Sequence, residues 1–374
     1  MSLDRDEAFA RIRLLRSPNV GPVAYRQLLR RFGNAASAIA ALPDLAARGG
    51  RRYAAVAEGR IEAEIAAVRR ADARYLFHDS PDYPPLLSEL ENGPPILTVR
   101  GDAAIGRRPA VAIVGARNAS AAAVKLARDF AAALAEAGYV VVSGLARGID
   151  GAAHRGALSA GPDSGGTIGV IASGIDIAYP LQHSDLQEQV AREGLLLAEQ
   201  PCGTEPLARH FPSRNRIIAG IAAGTVVVEA SPRSGSLITA RLAGEAGREV
   251  MAIPGSPLDS RSHGCNQLIR DGAILVQDPQ DVVELLSGFD GMPRSAFQEP
   301  ASDWTEAEEP LGGEPAEIAS LLTYAPIPVD ELIRQSEEKA GAVQLALLEL
   351  EIAGRLVRHA GGRVSLADKD GAQA

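Results

Sequence analysis

The strongest constraint on the fold is a series of short, almost wholly apolar runs between residues 71 and 290. Seven of them are predicted strands: Val111–Val114, Tyr139–Ser143, Thr167–Ala172, Leu195–Glu199, Thr225–Glu229, Glu249–Ile253 and Ala273–Val276. Apolar strands that alternate with helical segments form parallel sheets covered by helices on both faces. The pattern therefore predicts an α/β fold with an extended Rossmann-like, doubly wound and mostly parallel sheet. Two earlier runs, Tyr75–His78 and Ile96–Arg100, are expected to add strands.

Regions of different character flank this segment. Residues 1–70 are predicted to form a SAM-like helical (helix-hairpin) domain, with helices at Glu7–Leu15, Val23–Phe32, Ala35–Ala41 and Arg60–Arg70. The turn around Gly21 could bring backbone N–H groups to a phosphate, and the alternative is a helical domain without a ligand. Residues 291–313, rich in Pro, Gly and acid, are predicted to be an acidic linker. Residues 314–368 have the pattern of a winged-helix domain, and residues 71–290 form the Rossmann-like domain between them.

The formal net charge of −9 argues against a protein that coats duplex DNA nonspecifically. Seven acidic residues lie between Glu299 and Glu317, where there is no lysine or arginine, and removing their charge from −9 leaves −2. Locally basic loops on such a body can still bind phosphate. No apolar run is long enough to span a membrane, and no secretory signal opens the chain. The two cysteines, Cys202 and Cys265, predict neither disulfides nor a zinc site, so we expect a cytoplasmic protein without metal or cofactor.

In an open parallel sheet, ligands bind where the strands end, so the loops that follow the strands are the candidates. The first such loop, from Gly115 to Ser120, has small residues that let the backbone approach an anion, and Arg117 adds charge. The helix that follows adds N–H groups and its dipole. The loop is predicted to bind phosphate, whereas it lacks the later glycines of a dinucleotide motif.

The next loops are also small and flexible. Gly144 and Arg147 follow the second strand, and Gly174 follows the third. Asp150 and His154 are four residues apart on a predicted helix, so they could form an acid–base or metal pair. The alternative, which we favour, is an N-cap aspartate and a histidine that packs in the core.

The segment from Arg209 to Ile218 surrounds one aromatic ring with arginines. Stacking of a base on Phe211, with Arg209, Arg214 and Asn215 near the backbone, is the general way in which proteins bind single strands. The alternative is that Phe211 belongs to the core and that Arg216 forms a buried structural pair.

The loop after the strand at 225–229 offers another anion site. Ser234, Gly235 and Ser236 precede a helix that Ser236 can cap. Glu229 and Glu245 could be catalytic carboxylates, but such residues are more often structural. Together, four or five loops present N–H groups, hydroxyls and arginines toward one edge of the sheet, which favours a polyanion over a small ligand.

These loops resemble those of the DNA-processing protein A (DprA/Smf) family. The matching stretches are VAIVGARNAS (111–120), SGLARGIDGAAH (143–154), IASGIDIAYP (171–180), FPSRNRIIAG (211–220), VVEASPRSGSLITA (227–240), IPGSP (253–257) and GCNQLIRDGA (264–273). The resemblance implies a single-stranded-DNA-binding recombination mediator that protects incoming DNA in natural transformation and helps to load the RecA recombinase. It also implies a homodimer formed through the Rossmann-like domain. The family often has Thr in place of Ala116 and Asn in place of His183.

By this resemblance, the DNA-contacting positions are Gly115, Arg117 and Ser120, the segment Arg209–Arg214, and, with less support, Ser234–Ser236. The expected recognition helix of the winged-helix domain, Ala340–Ile352, contains two glutamates and no Lys or Arg. A reader of the major groove needs donors and positive charge there, so we predict that this domain contacts protein or regulates the chain instead.

Two other functions compete with this prediction. Phosphoribohydrolases that cut nucleotides share this Rossmann variant, but they carry a Pro-Gly-Gly-x-Gly-Thr loop followed by a catalytic glutamate. Here the corresponding loop starts at Pro232 and lacks the glycine run, so we expect no catalytic residues. A scaffold for partner proteins is the third possibility, and it would leave Arg117 and Phe211 dispensable.

Overall fold

The computed structural model describes residues 3–287, 315–359 and 361–367. These residues form two compact units. One contains the chain up to Glu62 together with residues from 315 onward, and we call it the terminal unit. The other, residues 63–287, is called the Rossmann unit. The predicted linker at 291–313 lies outside the described residues.

Four helices occupy the N-terminal region: α1 (Arg5–Arg16), α2 (Pro22–Phe32), α3 (Ala35–Arg48) and α4 (Glu58–Arg70). Asp4 caps α1 and Asn34 caps α3, each through a side-chain oxygen that accepts a backbone N–H. Pro22 occupies the first position of α2, where no N–H is needed. The boundary between the two units falls within α4.

The Rossmann unit contains a nine-stranded sheet. Its strands are β1 (Arg74–Phe77), β2 (Ile96–Gly101), β3 (Ala110–Val114), β4 (Val140–Ser143), β5 (Thr167–Gly174), β6 (Leu195–Gln200), β7 (Gly224–Val227), β8 (Glu249–Ala252) and β9 (Ile274–Leu275). Its remaining helices are α5 (Pro85–Ser88), α6 (Ala121–Glu136), α7 (Ile149–Ser159), α8 (Ser184–Glu193), α9 (His210–Ile221), α10 (Gly235–Glu245), α11 (His263–Arg270) and α12 (Pro279–Ser287).

The strand order is β1-β2-β6-β5-β4-β3-β7-β8-β9. The seven strands from β6 to β9 in this order pair in parallel, whereas β1 and β2 are antiparallel additions at one edge. Successive strands lie to one side of β3 until β6, and β7 then lies on its other side. This reversal between β3 and β7 is the switch point at which doubly wound sheets open a crevice for ligands.

Both faces of the sheet are buried, as the apolar strands predict. On one face, Ala112 and Val114 pack with Ile217 of α9. On the other, Val111 and Ile113 pack with Phe130 of α6. The alternation of neighbouring residues between the two clusters is the period-two geometry of a strand covered by helices on each side.

The C-terminal part of the terminal unit is a winged-helix fold. Its helices are α13 (Pro315–Leu321), α14 (Val329–Ser336) and α15 (Ala340–Ile352), and β10 (Ile327–Pro328), β11 (Leu356–His359) and β12 (Arg363–Leu366) form a sheet in the order β10-β12-β11. Val343, Leu347 and Leu350 of α15 belong to the core of this fold. The sequence prediction of a winged helix is confirmed.

The opposite face of α15 packs against the N-terminal helices. Leu348 and Ile352 share a core with residues of α1, α2 and α3. The Asn19 side-chain amide donates to the Ile352 carbonyl at 2.9 Å, and Arg48 pairs with Glu349 at 3.4 Å. A Cβ on Gly49 would lie 2.4 Å from the Glu349 carbonyl oxygen, so the two segments approach too closely for any other residue. The predicted recognition helix is therefore enclosed on both faces.

No helix among the described residues is long and apolar enough to cross a membrane.

Candidate nucleic-acid interface

A cleft of about 750 Å³ lies at the switch point of the Rossmann unit. The loops after β3, β4 and β7 and the first turns of α9 and α10 form its walls. Four arginines line it, Arg117, Arg214, Arg233 and Arg261, together with one carboxylate, that of Asp150. Its lining is therefore more positive than the chain as a whole, which suits an anionic ligand.

Two guanidinium groups lie close to the ring of Phe211 in this cleft. The guanidinium carbon of Arg117 is 4.9 Å from the ring centroid and that of Arg214 is 5.9 Å away. Both distances are within the range of a cation–π interaction. Phe211 is only half-buried, so it is not a core residue, and Arg117 is exposed. One aromatic surface and two cations are thus available together.

The side chain of Arg214 is held in place by the buried carboxylate of Asp150. The Arg214 side chain is 6% exposed, and its Nη1 lies 3.9 Å from Oδ2 of Asp150. Asp150 also accepts the N–H of Gly144 at 3.2 Å. A Cβ on Gly144 would lie 1.2 Å from the same Nη1, so only glycine leaves room for the guanidinium. Gly144 therefore supports the cleft from behind and is not one of the residues that line it.

Burial controls the protonation of this pair. It raises the pKa of Asp150, while Arg214 and the N–H groups of Ala146 and Gly144 oppose the rise. Burial also lowers the pKa of Arg214, and Asp150 opposes that change. Asp150 is the second residue of α7 and Gly148 is the N-cap, so the expected N-cap role of Asp150 is wrong. Its partner is a cation from another loop.

His154 is a core histidine and does not pair with Asp150. The Thr167 hydroxyl donates to the Val141 carbonyl, so its oxygen is free to accept the Nδ1–H of His154 at 2.8 Å. Nε2 then accepts the N–H of Leu145 at 3.4 Å. Burial, with smaller contributions from His183 and Arg214, lowers the pKa of His154 to about 3. The ring is therefore neutral at ordinary pH, and it is fully buried.

His183, which stands where the family often has asparagine, holds the same loop. Its Nδ1 lies 2.9 Å from the Leu145 carbonyl oxygen, within hydrogen-bonding distance. Leu145 has a φ of 56°, in the left-handed region that side chains disfavour. Two histidines on the two backbone polar groups of Leu145 stabilise this conformation, which turns the chain from β4 toward α7.

The N-terminus of α6 is satisfied within the protein. Ser120 is the N-cap, and its hydroxyl accepts the N–H of Ala123. The Ser120 N–H donates to the Glu229 carboxylate at 2.8 Å. The N–H and hydroxyl of Ser120 are therefore already used within the protein, which limits the predicted binding of a phosphate at this residue. The same hydrogen bond gives Glu229 a structural role. Glu245 is exposed on α10 and pairs with Arg241 at 3.6 Å.

The loop before α10 presents its hydroxyls to the cleft. Ser234 is the N-cap, in place of the expected Ser236, and its oxygen accepts the Ser236 N–H. The two hydroxyls are 2.7 Å apart. Asn215 reaches this loop, since its amide lies 3.4 Å from the Gly235 carbonyl oxygen.

The structure brings together eight of the thirteen predicted binding residues. The residues that line the cleft are Gly115, Arg117, Phe211, Arg214, Asn215, Ser234, Gly235 and Ser236. Ser120, Gly144, Arg147, Gly174 and Arg209 are not among the lining residues. Gly174 instead allows a close backbone approach, since its Cβ would lie 2.5 Å from the Pro201 carbonyl oxygen. Arg216 pairs with Glu199 of β6, so the expected structural pair is present, but it is only partly buried.

Two arginines of the cleft, Arg233 and Arg261, were not predicted. Arg233 belongs to the SPRSGS loop, in which the sequence predicts an anion site only at the serines and the glycine. Arg261 follows the IPGSP stretch, lies 3.8 Å from Glu229 and also pairs with Asp259 at 2.8 Å. Among the described residues, no cluster of three or more His, Cys, Asp or Glu is placed to bind a metal ion.

Family models match most of the chain. The model for DNA recombination-mediator protein A covers residues 74–287, that for the DprA-like N-terminal HHH domain covers 5–67, and that for the DprA winged helix domain covers 301–362. Protein Smf of Escherichia coli K12 is 36% identical over 327 residues, which are 86% of this chain and 85% of that protein.

Two of the solved structures to which the chain is similar match a large part of it. DNA processing protein A from Streptococcus pneumoniae has a TM-score of 0.63 and 36% identity, and the match covers 76% of this chain and 98% of that one. DNA processing protein A from Helicobacter pylori, described for its single-stranded DNA binding mode, has a TM-score of 0.52 and 28% identity, covering 59% of this chain and 98% of that one. The chain belongs to the DNA recombination-mediator protein A family.

Proposed function

We propose that this chain binds single-stranded DNA in the cleft of the Rossmann unit and acts as a recombination mediator in natural transformation. The observation that carries the proposal is the proximity of the Phe211 ring to the guanidinium groups of both Arg117 and Arg214. A base can stack on the ring while the arginines neutralise the phosphates beside it. Stacking on a ring requires an unpaired base, so single strands are preferred over duplex.

The test is fluorescence anisotropy with labelled single-stranded and duplex oligonucleotides over a range of salt concentrations. Arg117→Ala is expected to weaken single-strand binding by about tenfold, because a phosphate contact and the cation–π contact are lost. The slope of log affinity against log salt is expected to fall by about 0.7, the value for one phosphate contact on a single strand.

Arg128→Ala is the matched control, since Arg128 is an exposed arginine on α6 that does not line the cleft. Arg128→Ala also removes one positive charge, but we expect it to change the affinity for the single strand and the salt slope much less than Arg117→Ala does. Equal effects of the two substitutions would mean that only the net charge matters, and absence of single-strand binding would refute the proposal.

The proposal also includes protection of the strand and loading of RecA. The support for these roles is family membership, and the direct assay is RecA filament formation on strands already covered by a single-strand-binding protein. Phosphoribohydrolase activity has less support, because the Glu229 carboxylate accepts a hydrogen bond from the Ser120 N–H and the exposed Glu245 is not among the residues that line the cleft. Release of free base from a nucleoside monophosphate would favour that activity instead.

We further propose a homodimer formed through the Rossmann unit. At one edge of the sheet, β9 consists of Ile274 and Leu275, which are 38% and 44% exposed. An edge strand with apolar side chains and unpaired backbone groups is a ready surface for a second copy. Two clefts on one strand would increase affinity by about a hundredfold or more through avidity.

Leu275→Lys is therefore expected to give a monomer that binds long strands about a hundredfold more weakly but short ones normally. Sedimentation and anisotropy with strands of two lengths measure both effects. Leu258→Lys, at an exposed leucine in the loop after β8, is the control. A monomeric variant that kept its affinity for long strands would contradict the requirement for two clefts.

A further inference from the structure

The aromatic surface of the cleft continues beyond its lining residues to Tyr179. This residue lies between β5 and α8, and 45% of it is exposed. Its ring centroid is 5.7 Å from that of Phe211, with an angle of 61° between the rings. This is the edge-to-face arrangement that aromatic pairs prefer, and it leaves part of the Tyr179 ring open to solvent.

Phe211 therefore has both a cation and a second aromatic ring as neighbours. Arg117, Phe211 and Tyr179 come from three different segments: the loop after β3, α9, and the segment before α8. A strand whose phosphate is bound by Arg117 and whose base lies on Phe211 would bring a neighbouring base to Tyr179. Proteins that bind single strands stack successive bases on aromatic side chains in this way.

Two exposed leucines are near the two aromatic residues in sequence. Leu181, two residues after Tyr179, is 81% exposed, and Leu207, four residues before Phe211, is 43% exposed. Single exposed leucines need no explanation, so these two residues are not part of the argument for a subsite.

We propose that Tyr179 is a second base-stacking subsite, which binds the nucleobase next to the one on Phe211. The proposal rests on the proposed function, since it assumes that the strand enters the cleft. The competing explanation is that Tyr179 only supports the ring of Phe211. The two explanations differ in whether Tyr179→Ala still weakens binding of a thymidine strand when Phe211 has already been replaced by alanine.

The test compares a thymidine oligonucleotide with one of equal length in which every nucleotide is abasic. Tyr179→Ala is expected to weaken binding of the thymidine strand by about tenfold, within the range for loss of one base–aromatic stack. It should leave binding of the abasic strand and the salt slope unchanged, because no phosphate contact is removed. Tyr179→Phe restores the lost affinity, since the stack needs only the ring.

Tyr324→Ala is the matched control, because Tyr324 is a similarly exposed tyrosine of the terminal unit, at 57%. Equal affinity of wild type and Tyr179→Ala for the thymidine strand would overturn the subsite. An equal loss on both strands would also overturn it, because the effect would then not depend on bases. No further loss when Tyr179→Ala is added to Phe211→Ala would overturn it too and assign Tyr179 a supporting role. If Arg117→Ala weakens binding while Tyr179→Ala does not, only the subsite fails, whereas a wild type that binds neither strand refutes the proposed function as well.

Discussion

Arg214→Met is expected to destabilise the Rossmann unit by about 3–5 kcal/mol, because it leaves the buried Asp150 carboxylate without its cation. Asp150 and Arg214 are both 6% exposed, so water cannot replace the lost partner. The substitution keeps most of the apolar volume of the side chain, and the loss therefore reports mainly on charge. Urea unfolding monitored by circular dichroism measures it.

The same loss should depend on pH. Burial already raises the folded-state pKa of Asp150, and removal of Arg214 takes away the largest opposing influence, so the pKa rises further. A raised folded-state pKa means that protonation stabilises the fold, so the deficit relative to wild type is smaller at pH 5 than at pH 8. Arg214 is also one of the smaller influences that lower the pKa of His154, and its removal changes the pH dependence in the same direction.

Two further variants make this result specific. Arg241→Met breaks an ion pair with Glu245 that is exposed on both sides and is expected to cost less than about 1 kcal/mol. Asp150→Asn combined with Arg214→Met should recover part of the loss, since no buried charge then remains. A deficit for Arg214→Met as small as that of Arg241→Met would show that the pair does not stabilise the fold.

Ile352→Asp is expected to have the second large effect, on the terminal unit. Ile352 is fully buried in the core that α15 shares with α1, α2 and α3. Loss of a buried isoleucine costs about 2–5 kcal/mol, and a buried carboxylate adds to that. Val357→Asp, at a 42% exposed position on β11, is the matched control.

The informative measurement is hydrogen exchange of α3. Because the mutated residue lies about 300 positions away along the chain, local loss of α15 structure would leave α3 protected if the two segments folded independently. A shared core predicts instead that α3 loses protection together with α15. Retained protection of α3 in Ile352→Asp would contradict the shared core.

The shared core also gives the predicted lack of duplex reading by the winged helix a physical basis. Leu348 and Ile352 face the N-terminal helices, and Val343 and Leu347 face the winged-helix core. Glu349 is almost fully buried against Arg48, and burial raises the pKa of its carboxyl. A helix enclosed in this way cannot enter a major groove unless the terminal unit first opens.

The sequence predicted the strands well because a doubly covered parallel sheet requires apolar residues at every position. Local signals were less reliable at the ends of elements. The third helix was expected to end at Ala41, before Pro43, but α3 continues through Pro43 to Arg48. Packing of Leu42, Leu45 and Ala46 in the shared core outweighs the proline.

Residue spacing along the chain cannot predict which side chains of distant segments pair with each other. The four-residue spacing of Asp150 and His154 suggests an interaction between these two side chains. In the structure, the charged partner of Asp150 is instead Arg214 of α9. The residues that cover α15 could not be predicted either, since a mostly apolar helix indicates burial without indicating what packs against it. The positions at the switch point, by contrast, followed from the order of the loops, and eight of them line the cleft.

The most direct test of the central claim is to locate the strand on the protein by photochemical crosslinking. A single strand that contains 4-thiothymidine is irradiated with the full chain, and tryptic peptides are identified by mass spectrometry. Cleavage after Arg209 and Arg214 isolates residues 210–214, a five-residue peptide that carries Phe211. We expect the crosslink on this peptide, and Arg117→Ala should reduce it. Crosslinks confined to the terminal unit, with none in residues 210–214, would contradict binding in the cleft.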